Sequence, residues 1–155
     1  MNLRDLIQLH AQHPIKKRYK IAGMDISIES PKGDSRHWTD EMGNTGTTVM
    51  KHDYGYVRMS EGHDGEHVDC FIGPDPNSDK VFIIDQHVPE TGKFDEQKCM
   101  IGFHTPEEAK QAYLIHYDKP GFFGSMKEMS MQEFKTKVLA TKDSANKMVA
   151  QADHE

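Results

Sequence analysis

The feature that most limits the fold of this chain is a change of rhythm at Thr105. Before it, apolar residues come in short runs cut by turn residues. After it, two helix starts carry full capping signals. Met24, Ile26 and Ile28 alternate with polar neighbours, a strand pattern, and Pro31-Lys32-Gly33-Asp34 ends it as a turn. Residues 54–57, 68–72, 81–84 and 99–103 read as further strands, with a Pro89-Glu90-Thr91-Gly92 turn between the last two. Residues 37–49 are rich in Gly and Thr and read as a long loop or irregular hairpin. The cluster Lys16, Lys17, Arg18, Lys20 reads as a solvated edge strand, with a phosphate or nucleic-acid patch as the alternative. Thr105-Pro106-Glu107-Glu108 then supplies an N-cap, a proline at the first helical position and a capping-box glutamate. That helix should run to about Tyr117, with Ala109, Ala112, Tyr113 and His116 on one face. Ser130 to Glu133 is a second capping box, opening a helix with Phe134 and Val138 inward. Residues 2–12 read as a short N-terminal helix capped by Asn2, and 140–155 as a weakly docked helix or tail. The order predicts one α+β domain over 1–155, with a small barrel-like or strongly curved sheet.

Composition removes several function classes. A chain of 155 residues can bury about 70 % of its unfolded surface and needs no staples. A formal net charge of −6 argues against non-specific binding to nucleic acid or an anionic membrane. No apolar run approaches the ~18 residues of a membrane span. The opening Met-Asn-Leu-Arg-Asp carries an acid and no apolar signal core, so a cytoplasmic chain is expected. Cys70 and Cys99 make no disulfide framework and read as reduced, half-buried thiols.

The informative stretch is YGYVRMSEGHDGEHVD, residues 54–69. Asp64, Glu66 and Asp69 are three carboxylates within six positions, carried by a turn and the start of a strand. Gly62 and Gly65 let the backbone fold tightly enough to aim them at one point. Hard oxygen donors so arranged suit Mg²⁺ or Mn²⁺, although acids beside Asp-Gly turns are also common on solvated loops. A second acidic set, Asp85, Asp95 and Glu96, has Lys98 beside it. Carboxylates grouped with Arg36, Lys98, Tyr54 and Tyr117 form the mixed-sign equipment of phosphoryl transfer. His63 and His67 flank a glycine turn with no third ligand at helical spacing, which argues against zinc. There is no Gly-x-x-x-x-Gly-Lys loop and no Ser-His-Asp or Cys-His context.

Tyr54-Gly55-Tyr56 followed by Asp64-Gly65-Glu66-His67-Val68-Asp69 resembles the signature of the family I soluble inorganic pyrophosphatases. The likeness is closest to the pyrophosphatase-like domains of phage and prophage proteins. It extends through Ile28-Glu29-Ser30-Pro31-Lys32-Gly33 to Arg36, through 54–74 and through Gly92 to Lys98, covering about 17–137. The resemblance implies an OB-like five-stranded barrel with flanking helices, and several Mg²⁺ ions between enzyme and pyrophosphate, Mn²⁺ being able to substitute. It implies Asp64 and Asp69 as direct metal ligands and Glu66 as the group that takes a proton from the attacking water. Asp85 and one of Asp95 or Glu96 would complete the cage, and Glu29 would hold a further metal. Lys98, Tyr54 and Tyr117 would bind phosphate oxygens. Arg36 is the best match to a phosphate-binding lysine, and Lys51 is the nearest cation to an arginine position before Tyr54. Glu66 departs from the family's aspartate by one methylene.

The expectation is thus a Mg²⁺-dependent hydrolase of pyrophosphate or another small phosphoanhydride, in a host cytoplasm if phage-encoded, free of membrane and nucleic-acid partners, with a homo-oligomer left open. The alternatives are a non-catalytic, virion-associated binding protein on the same barrel, and a nucleotide pyrophosphohydrolase with Trp38 as its base clamp.

Overall fold

The computed structural model describes residues 14–40, 42–58, 60 and 67–141. Seven strands form one mixed sheet: β1 (Lys17–Ile21), β2 (Met24–Ser30), β5 (Asp53–Val57), β6 (Val68–Ile72), β7 (Lys80–His87), β8 (Phe94–Ile101) and β9 (Phe123–Ser130). Their spatial order is β1-β2-β5-β6-β8-β7-β9. All neighbours are antiparallel except β6 and β8, which run parallel. β3 (Ser35–Thr39) and β4 (Thr45–Val49) form a separate antiparallel hairpin. Helices α1 (Pro106–Leu114) and α2 (Met131–Ala140) complete the elements of the described residues.

Both helices start where their caps require. Thr105 and Ser130 each accept the backbone N–H three residues on, from Glu108 and Glu133. Strand alternation then assigns each helix a face of the sheet. Phe134 and Val138 of α2 pack with Ile26, Ile28, Cys70, Ile83 and Cys99 on one side. Ala109, Ala112 and Tyr113 of α1 pack with Phe71, Phe82, Ile84 and Met100 on the other.

The five-stranded barrel is not what forms. The sheet has seven strands, and among the described residues no pairing joins β1 to β9. Among the described residues both edges are guarded by charge: β1 carries Lys17, Arg18 and Lys20, and β9 carries Lys127 and Glu128. The basic cluster is accordingly an edge strand, as one of its two readings held. Residues 37–49 form most of a regular hairpin, because Thr-rich alternation suits strands. α1 ends at Leu114, short of Tyr117. Cys70 and Cys99 are fully buried, cross-strand neighbours and unbridged. The predicted helix at 2–12 and the tail beyond Thr141 lie outside the described residues.

Three β-bulges aim side chains toward the α1 face or its rim. Each adds one residue to a strand and turns its neighbours off the regular alternation. In β2 the extra residue is Glu29, between the pairs Ile28–Gly55 and Ser30–Tyr54. In β8 it is Asp95, between Glu96 and Phe94. In β9 it is Gly124, packed on the His87 ring. Gly55 faces the first bulge so closely that a Cβ there would lie 1.8 Å from the Ser27 carbonyl oxygen. The glycine of Tyr54-Gly55-Tyr56 is thus a requirement of strand approach.

Candidate active site

Register brings the site together. Asp69 of β6 stands opposite Lys98 of β8 in the parallel pair. Lys98 stands opposite Ile84 of β7, and Glu96 opposite Gln86. These side chains share the α1 face. Lys98 is only 5 % exposed, and its ammonium spends all three hydrogens on Tyr54 Oη (2.5 Å), Asp69 Oδ2 (2.8 Å) and Glu96 Oε1 (2.5 Å). Tyr54 in turn donates to Asp69 Oδ2 at 3.1 Å. Burial works against the Lys98 charge, but Asp69, Glu96 and the phenols outweigh it and hold the ammonium well above its ordinary range. Burial pushes the Glu96 carboxyl up to about 8 although Lys98 opposes the shift. Burial likewise raises the Tyr54 phenol, with Asp69 adding to it.

Around this knot lies a second circle. Gln86 Oε1 accepts from both Tyr113 and Tyr117, each at 2.8 Å, while its Nε2 donates to Asp95 Oδ2 at 3.1 Å. Gln86 thereby fixes two phenols and one carboxylate at once. Burial pushes the Tyr117 phenol up to about 12, so it stays a donor at any working pH. Arg36, on the hairpin, reaches back to Ser30 Oγ (2.9 Å) and Glu29 Oε2 (3.3 Å), and its guanidinium lies 4.6 Å over the Tyr54 ring. The bulges at Glu29 and Asp95 are what bring these carboxylates to the cleft.

Sheet and hairpin enclose a cleft of about 1010 Å³. Arg36, Lys51, Lys98, Tyr54, Tyr117, Glu29, Asp69, Asp95 and Glu96 all line it. Asp85 does not. It pairs with Gln97 on the opposite face, is 1 % exposed, and accepts from Gln97 Nε2 at 2.9 Å and Ser125 Oγ at 3.4 Å. Strand alternation therefore turns away from the cleft a carboxylate that was expected in the cage. Asp95 and Glu96 both reach the cleft, because the bulge defeats alternation at that point. Asp64 and Glu66 lie outside the described residues, as does His63. His67 stacks on Tyr56, ring centroids 4.5 Å apart.

The lining suits a divalent cation. Its described residues include six carboxylates and three Lys or Arg, so an anionic phosphate would meet net repulsion without added positive charge. The donors gathered at Lys98 are oxygens, the preference of Mg²⁺ and Mn²⁺. No three His, Cys, Asp or Glu side chains converge as a ready cage among the described residues. Lys98 instead stands between Asp69 and Glu96.

Gln86 and His116 were not read as site residues from sequence. The signal for Gln86 lay in Tyr113 and Tyr117, two phenols four residues apart that need a polar partner once buried. His116 joins the cleft wall to the segment before β5: its Nε2 accepts Lys51 N–H at 2.9 Å, and its Nδ1 lies 2.7 Å from the Ala112 carbonyl. Those partners require the neutral ring with its proton on Nδ1. Burial lowers its pKa to about 4 from an ordinary 6.5. The unfolded chain therefore takes up this proton first as pH falls, and the folded state loses stability between about 6.5 and 4, by roughly 3 kcal/mol. Urea melts across that window should show a shallower pH slope for His116→Gln than for the parent chain. Equal slopes would remove His116 as the cause.

A family model described as Inorganic Pyrophosphatase matches residues 7–139. No curated protein sequence gives a significant match. The matched span takes in every strand of the sheet, the hairpin and all the cleft residues named above. The chain belongs to the inorganic pyrophosphatase family.

Proposed function

We propose that this chain hydrolyses inorganic pyrophosphate to phosphate in the presence of Mg²⁺, with Mn²⁺ able to substitute. The observation that carries the reading is the buried knot in which Asp69, Glu96 and Tyr54 share one lysine at the floor of an acid-rich cleft. A nucleic-acid-binding or virion-associated protein without turnover would gain nothing from a cleft with twice as many carboxylates as cations.

Asp69 and Glu96, with Asp95, Glu29 and Asp64, would hold the metal. Bound there, the metal supplies Lewis acidity and neutralises phosphate charge. The chain's own residues do the rest. Glu66 takes a proton from the attacking water, whose oxygen bonds to phosphorus as the bridging oxygen departs with its electron pair. Arg36 and Lys98 hold phosphate oxygens, and Lys98 does so by releasing one of its present acceptors. Tyr117 points a neutral hydroxyl at the same region and turns from Gln86 to substrate. A phage or prophage setting in a host cytoplasm belongs to the same proposal.

Phosphate release from pyrophosphate, measured with Mg²⁺, with Mn²⁺ and with chelator, tests the reading. Release with either metal and none with chelator is expected. No release under any condition would move the chain to the non-catalytic alternative. Tyr117→Phe should keep the fold and lower turnover by less than about tenfold, since it deletes one neutral hydrogen bond worth about 0.5–1.5 kcal/mol. A loss of several hundredfold would place Tyr117 at the chemistry itself.

A further inference from the structure

The cleft is much larger than pyrophosphate, and its hairpin wall changes chemistry along its length. Arg36 and Trp38 alternate onto the same face of β3, opposite Thr48 and Gly46. Arg36 lies over Tyr54, which is bonded to Lys98. Trp38 stands two residues further toward the hairpin tip, roughly 7 Å along the strand. A ribose spans about such a gap between a phosphate and its base. The indole is held in place: Nε1 donates to Thr48 Oγ1 at 3.0 Å, and the ring covers Gly46 so closely that a Cβ there would sit 2.4 Å from it. Trp38 lines the cleft. From the other wall comes Ile115, a large apolar side chain left 52 % exposed just after α1, lining the same cleft. Pyrophosphate has no group that would use an indole or an exposed isoleucine. A nucleobase has two faces that would.

We propose that the cleft binds a nucleoside di- or triphosphate, its phosphates at the Lys98–Arg36 floor and its base stacked on Trp38. This rests on the reading that the floor accepts a diphosphate. Trp38 is the chain's one tryptophan, so its fluorescence reports the event directly.

The test is a titration with Mg²⁺ present, using ATP against inorganic tripolyphosphate and ADP against pyrophosphate, each as its non-hydrolysable imido analogue, followed by tryptophan fluorescence and by calorimetry. Base stacking on an aromatic side chain is worth about 1–3 kcal/mol. ATP should therefore bind about 5- to 160-fold tighter than tripolyphosphate and should quench Trp38, while tripolyphosphate should not. Trp38→Ala should abolish that advantage and leave tripolyphosphate affinity unchanged, which also shows that the variant folds. Trp38→Phe should keep most of it. Equal affinity of ATP and tripolyphosphate in the parent chain would overturn the proposal alone. So would a Trp38→Ala variant that weakens both ligands equally, which would make the indole a brace for Gly46. Failure of all four ligands to bind would overturn the diphosphate floor as well.

Discussion

Lys98→Met should lower pyrophosphate turnover by about 10²–10³-fold, the cost of losing one preorganised donor at a reacting phosphate, and should destabilise the fold as well. From the sequence Lys98 is expected to bind phosphate from an exposed strand start, where substitution costs the fold only within ~0.5 kcal/mol. The structure places it 5 % exposed within β8, bonded to two carboxylates and a phenol. Methionine fills the space but leaves Asp69 without its counter-charge and Glu96 without the ammonium that holds its carboxyl down. Breaking a buried ion pair from one side costs about 3–5 kcal/mol. Two controls separate charge from packing. Adding Glu96→Gln to the variant should recover part of the stability above about pH 8, where Glu96 would otherwise have to carry a buried charge. Millimolar Mg²⁺ should raise the melting temperature of Lys98→Met more than that of the parent chain, since a cation bound only to the folded state stabilises it. A variant that melts and turns over like the parent would show that Lys98 neither holds the carboxylates nor meets substrate.

Lys98 also shows how far sequence reasoning reaches in this chain. Both helices were legible because their caps are local chemistry: Thr105-Pro106 and Ser130 fix a start without help from the rest of the fold. β2, β5 and β6 were legible because apolar residues alternate or run together within them. β9 was not, because it is an edge strand whose residues are mostly half-buried or exposed, with little apolar signal. β7 and β8 extend beyond their apolar cores through Asp85-Gln86-His87 and Phe94-Asp95-Glu96-Gln97-Lys98. Those polar runs resemble loops because they are the parts of the strands that build the site. The face each acid takes is a matter of register and bulges, which depend on pairing partners far away in sequence. That is why Asp85, one strand step from Ile84, lands on the wrong side, while Asp95 escapes alternation. Arg36, Glu29, Asp69 and Lys98 were named from the resemblance, which carries such placement within it, and all line the cleft.

Asp69→Asn and Glu66→Gln should part company, and the contrast is the sharpest test of the roles assigned to the acidic segment. Asp69 accepts both Lys98 and Tyr54 on one carboxylate oxygen at the cleft floor. Asparagine has nearly the same shape and can still accept one of these donors, but it carries no charge. Metal affinity and pyrophosphate turnover should therefore fall together, and the Mg²⁺-induced rise in melting temperature should shrink. Glu66 is assigned a proton instead of a metal. Glu66→Gln should leave the Mg²⁺-induced rise near that of the parent chain and lower turnover by about 10²–10⁴-fold, the range for a lost general base. Glu66→Asp adds a directional check, because it shortens the side chain by one methylene and draws the carboxylate back. A higher rate for this variant would show that the glutamate reaches past the best position for the water. If Glu66→Gln and Asp69→Asn lost metal binding equally, Glu66 would be a ligand, and the proton would have to go to another carboxylate of the cleft.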